Sequence, residues 1–87
     1  MSSAYGIEFE TTAAKALGRI QRTQQVRIAK AITALAVDPR PNGCTKLSGR
    51  TDAYRIRIGD YRVVYLINDA VRVVRIERIA HRREVYR

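Results

Sequence analysis

The apolar pattern of the chain changes period twice. Residues 4–9 alternate, with Tyr5, Ile7 and Phe9 on one face, and predict a short strand. From Glu10-Thr11-Thr12 the apolar positions take helical spacing through Ala13, Ala14, Ala16, Leu17 and Ile20, with Lys15 and Arg19 outward. Gln21 to Thr23 reads as a short joint, with Thr23 as N-cap. A second helix carries Ile28, Ile32 and Leu35 as its stripe and runs to about Val37, where Pro39 stops it. So short a joint implies an antiparallel helical hairpin. Asp38 to Gly43 is turn chemistry and Cys44 to Gly49 reads as loop. From Ala53 the period is two. Tyr54–Ile58, Tyr61–Ile67 and Val71–Ala80 predict three strands, joined by turns at Gly59-Asp60 and Asn68-Asp69. The expected fold is α+β in the order β-α-α-β-β-β. One short N-terminal strand and a two-helix hairpin precede a three-stranded antiparallel meander, and the helices pack on one sheet face.

The two faces of that meander differ in chemistry. A two-residue turn at Gly59-Asp60 sets Ile58 across from Tyr61, Ile56 from Val63 and Tyr54 from Tyr65. This apolar side receives the helices. The reverse side carries Arg55, Arg57, Arg62 and Val64, with Arg57 directly opposite Arg62. Like charges opposed across strands are destabilising. A small domain that accepts this cost has an anion to place there, and phosphate is the natural candidate. A two-residue turn at Asn68-Asp69 pairs Arg62 with Arg75 and adds Val74 and Ile76 to the apolar side. A slip of one residue would drive the arginines into the core, so burial enforces the register.

Composition narrows the partners. Residues 1–87 are long enough for one domain with a single modest core. The formal charge is +9, from 17 basic and 8 acidic residues. Arginine dominates the basic set, and its fork binds phosphate and carboxylate bidentately. A polyanion is therefore the expected partner, either nucleic acid or an acidic protein. No apolar run reaches the ~18 residues needed to span a membrane, and no basic segment followed by an apolar run opens the chain. A single cysteine, Cys44, excludes an internal disulfide and points to the cytoplasm. One histidine and one cysteine do not make an ordinary zinc site, so no metal or other cofactor is expected.

Five segments, in order and spacing, resemble the RelE/ParE superfamily of small bacterial toxins, and its RelE branch in particular. They are Asp38-Pro39-Arg40-Pro41, Lys46-Leu47-Ser48-Gly49, Tyr54-Arg55-Ile56-Arg57, Gly59 to Tyr65, and His81-Arg82-Arg83-Glu84-Val85-Tyr86. The resemblance implies a type II toxin held inactive by a cognate antitoxin. It implies entry into the ribosomal A site and metal-independent cleavage of mRNA by the RNA's own 2′-hydroxyl. It places catalysis on Arg55, Arg57, Arg62, Arg82 and Tyr86, with Arg83 an alternative to Arg82. Members of the ParE branch share the fold, poison DNA gyrase and generally lack this set. A third reading is a non-catalytic module of the same fold that binds antitoxin or nucleic acid.

Cleavage at a 2′-hydroxyl requires loss of a proton, stabilisation of the pentavalent phosphate and protonation of the 5′-oxygen. Arg57 and Arg62, with Arg55 nearby, suit the second need as a phosphate clamp. The pattern resembled has lysine at Arg55 and Arg57, the first acting as general base. Arginine stays protonated at any working pH, so Arg55 does not inherit that task. His81 is the proton-transfer candidate, because imidazole titrates near neutrality. Tyr86 is placed to stack on a base. Lys46, Arg75 and Arg83 are candidate RNA contacts. Alternatively the arginines meet acidic side chains of an antitoxin.

Overall fold

A computed structural model describes residues 4–85. The elements are β1 (Gly6–Phe9), α1 (Thr11–Gly18), α2 (Arg22–Ala34), β2 (Thr45–Lys46), β3 (Ala53–Ile58), β4 (Tyr61–Asn68), β5 (Val73–His81) and α3 (Arg82–Val85). The strands form one sheet in the order β1-β5-β4-β3-β2. The expected strand, helical hairpin and meander are all present, with the helices against one face.

Three features were not anticipated. β1 runs parallel to β5, so the sheet is mixed. This follows from the path: α1 and α2 carry the chain across the sheet between β1 and the meander, and such a crossover permits parallel pairing. β2 extends the far edge beside β3 within a segment read as loop. β5 runs on to His81 and turns directly into α3.

The core lies between the hairpin and the sheet. Ile28 and Ile32 of α2 and Leu35 at its C-terminal cap meet Ile56, Val63, Tyr65, Ile67, Val74 and Ile76 of the sheet. Burying such a side chain fully contributes roughly 1.5–3 kcal/mol. Ala13 is the buried residue of α1. Tyr65 is fully buried and donates its hydroxyl to the Pro39 carbonyl at 2.8 Å, which ties the end of the helical hairpin to the middle of the sheet. Its phenol pKa is raised, chiefly by burial. α2 begins at Arg22, so Thr23 lies inside the helix instead of capping it, and Gln21 occupies the cap position without a side-chain bond. At the other end the chain leaves the helix after Ala34, ahead of Val37.

Candidate functional site

The β3–β4 register is the expected one. Gly59 takes φ 59, the positive angle that primed hairpin turns require at their first central position. Arg57 then pairs with Arg62, Arg55 with Val64, and Ile56 with Val63. The arginines share the face turned away from the helices. Arg57 is exposed, Arg55 is half-buried, and Arg62 is only 4% exposed. The Nε atoms of Arg55 and Arg62 are buried without a hydrogen-bond partner within the protein. The Arg62 Nη1 reaches the Tyr61 carbonyl only at 3.4 Å.

Carboxylates on the sheet and at its strand ends are committed elsewhere. Glu8 and Glu10 bind Arg75 at 3.0 and 2.7 Å. Glu77 takes both arms of Arg50 at 2.8 and 2.9 Å. Asp69 binds Arg40 at 2.9 Å and also accepts from the Tyr5 hydroxyl. Each partner pulls its carboxyl below the ordinary range: Arg75 for Glu10, Arg50 for Glu77, Arg40 and then Tyr5 for Asp69. Among the described residues, no ion pair reaches Arg55, Arg57 or Arg62. A buried donor left unpaired is costly. Two of the three guanidinium groups, those of Arg55 and Arg62, carry such a donor, and Arg57 stands exposed beside them.

The β4–β5 register differs from the expected one. Arg62 pairs with Ala80, and Arg75 pairs with Leu66. Two causes add up. The connection runs from Asp69 to Arg72, with Arg72 at φ 57, instead of closing in two residues. A bulge between Val64 and Tyr65 then leaves Glu77 as an extra residue, because Val64 opposes Arg78 while Tyr65 opposes Ile76. Arg75 therefore stands further along the sheet, held by two glutamates, and does not join the Arg57–Arg62 pair. Arg78, which the sequence reading passed over, takes a place across from Val64.

The remaining candidates are dispersed. His81 pairs with Tyr61, so it belongs to the helix side of the sheet. Its ring meets the Tyr61 ring edge-on at 5.4 Å, and its Nδ1 accepts the Arg83 backbone N–H at 3.3 Å. Strand alternation thus separates it from Arg57 and Arg62. Lys46 pairs with Tyr54 and also falls on the side away from the arginines. Arg82 opens α3; its backbone N–H donates to the Asp60 carbonyl at 2.7 Å, and its Nε lies 3.8 Å from the Asp60 carboxylate. Arg82 and Arg83 are both exposed. Tyr86 lies outside the described residues.

Beside the arginines is a cleft of about 540 Å³, lined by Thr12, Ala13, Arg50, Val64, Glu77, Arg78, Ile79 and Ala80. Val64 and Ala80 are the register partners of Arg55 and Arg62, so the cleft lies one strand position from those residues, although none of the three arginines lines it. Its size suits a nucleotide-scale ligand, since small-molecule pockets span roughly 300–1,000 Å³.

Residues 7–86 match the family described as ParE toxin of type II toxin-antitoxin system, parDE. The chain belongs to the RelE/ParE superfamily of type II toxins. Solved structures place its fold with RelE. It is 30% identical to RelE in the archaeal RelE–RelB complex from Pyrococcus horikoshii OT3, covering 91% of this chain and 96% of that one, with TM-score 0.82. Against the isolated E. coli RelE toxin the values are 30%, 95%, 92% and 0.81. Against the intact E. coli RelBE toxin–antitoxin complex they are 28%, 90%, 96% and 0.80. No curated protein matches the sequence. The chain is therefore a RelE-like toxin by fold. Within its described residues, no helix is long and apolar enough to cross a membrane.

Proposed function

We propose that this toxin is a ribosome-dependent endoribonuclease. It cuts mRNA in the A site through attack of the RNA's 2′-hydroxyl, without a metal, and so arrests translation in the cytoplasm. The observation that carries this reading is the unpaired set Arg55, Arg57 and Arg62 on one sheet face, two of them with buried, unpartnered Nε atoms. Arg57 and Arg62 clamp the scissile phosphate, and Arg55 supports them. The donors are fixed by the sheet before substrate arrives, which is what transition-state stabilisation of a phosphorane requires. Arg82, Arg83 and Tyr86 act from the C-terminal segment on flanking nucleotides, while Lys46 and Arg75 are peripheral contacts at most.

The ribosome is part of the proposal because positioning supplies a large share of such a rate. The toxin's other partner is an antitoxin, as in the RelE–RelB complexes it resembles. An acidic, partly apolar segment fits the charge of this face.

A second reading is a gyrase poison, favoured by the match of residues 7–86 to a family described by ParE. Controlled expression in growing bacteria separates the two. The ribonuclease reading expects rapid loss of protein synthesis with cut messages. DNA breakage and an SOS response with intact messages would replace it by the gyrase reading.

A further inference from the structure

The clamp leaves one chemical need unmet: a group that takes the proton from the attacking hydroxyl. Arginine cannot serve, because guanidinium stays protonated. His81 and Lys46 stand on the other side of the sheet. Among the described residues, the carboxylate that lines the cleft formed at Val64 and Ala80, the strand partners of Arg55 and Arg62, is Glu77.

We propose that Glu77 is the general base, taking the 2′-hydroxyl proton of a ribose seated in this cleft. The assignment rests on the ribonuclease reading and adds a residue to it.

Four observations carry it. Glu77 is the extra residue of the β-bulge in β5, and bulges re-aim side chains next to active sites. The cleft it lines is also lined by Val64 and Ala80, the strand partners of Arg55 and Arg62. Its side chain is 31% exposed, so a ligand in the cleft can reach it. Finally, Arg50 holds both of its oxygens in a fork at 2.8 and 2.9 Å. A carboxylate offers about four acceptor sites, so the fork leaves capacity for one hydroxyl. A base oriented by a third group is the recurrent arrangement around activated nucleophiles. Arg50 is then a positioning residue.

The step balances without a further reagent except water. The 2′-O–H proton passes to a Glu77 oxygen, and the 2′-oxygen bonds to phosphorus. The bond from phosphorus to the 5′-oxygen breaks, leaving a 2′,3′-cyclic phosphate. The departing 5′-oxygen takes a proton from water, and Glu77 returns its proton to solvent.

Single-turnover cleavage of a defined message by the purified protein on translating ribosomes tests this. Glu77→Gln is expected to slow cleavage by about 10²–10⁴, the usual contribution of a general base, with the half-saturating protein concentration within about twofold. Glu77→Asp, which keeps the carboxylate, recovers part of the rate. Arg50→Met breaks the same ion pair but spares the carboxylate, and is expected to cost less than about tenfold. Glu77→Gln within threefold of the parent rate overturns the assignment, as does Arg50→Met falling as far as Glu77→Gln. A parent protein that cuts no message overturns the ribonuclease reading and this assignment together, whereas a parent that cuts with Glu77→Gln unimpaired overturns the assignment alone.

Discussion

Arg57 and Arg62 stand directly opposite each other across the β3–β4 hairpin, and neither has a carboxylate partner among the described residues. The pairing opposes stability and favours anion binding, so the two properties should separate on mutation. Arg57→Gln is expected to raise stability by about 0.2–1 kcal/mol, the scale of a cross-strand pair. The same change should lower message cleavage by ~10²–10³, the scale of losing one transition-state donor. Urea denaturation and cleavage rates on one preparation check both. Loss of stability together with loss of cleavage would mean that the pair is structural.

Position along the sheet should decide which arginines matter. Arg75 is held by Glu8 and Glu10, away from the pair. Arg75→Gln is therefore expected to leave toxicity in growing bacteria within about twofold of the parent. Abolished toxicity in a folded Arg75→Gln protein would return Arg75 to the site.

These two predictions show where the sequence was sufficient. Period-two alternation and the Gly59-Asp60 turn made the β3–β4 register legible, because burial of Ile56 and Val63 forbids any slip. The next register was not legible. Asn68-Asp69 has the composition of a tight turn, but Asn68 Oδ1 accepts from the backbone N–H groups of Ala70 and Val71, which builds a longer loop. The bulge at Glu77 has no local signal, since Arg75 to Arg78 alternates acceptably in either register. The turn error moved Arg75 toward the clamp, and the missed bulge hid Glu77 and Arg78. Placement of His81 follows from the same bulge, because each residue after it changes face.

Tyr65 offers a test of how the helical hairpin is tied down. Its hydroxyl satisfies the buried Pro39 carbonyl. Tyr65→Phe leaves that acceptor unpaired and is expected to cost about 1–3 kcal/mol. Chemical denaturation measures it, and no change would show that the carbonyl finds another partner.

The hairpin turn is constrained by conformation and by a neighbour. Gly59 lies at φ 59, and a Cβ there would sit 3.3 Å from the Arg27 Nη1. Gly59→Ala is expected to destabilise by about 1–2 kcal/mol, the cost of a left-handed angle in an L-residue. Because the turn sets Arg57 against Arg62, cleavage should fall as well.

Acid stability follows from Glu10, Asp69 and Glu77, all held below their ordinary pKa by arginine partners. The folded state binds these protons less readily than the unfolded chain. Their stabilisation is complete above the ordinary carboxylate pKa of about 4 and is lost as pH falls through the lowered folded values. Thermal midpoints should be level from pH 7 to about 5 and drop below that window. A midpoint that rises on acidification would contradict these ion pairs.

The most direct test of the anion clamp is primer extension on a defined message, translated and untranslated, incubated with purified parent protein or with Arg57→Ala/Arg62→Ala. The account predicts cuts by the parent within A-site codons of the translated message, and none by the variant while its circular dichroism stays unchanged. An intact message with the parent, or equal cutting by the folded double variant, would contradict it.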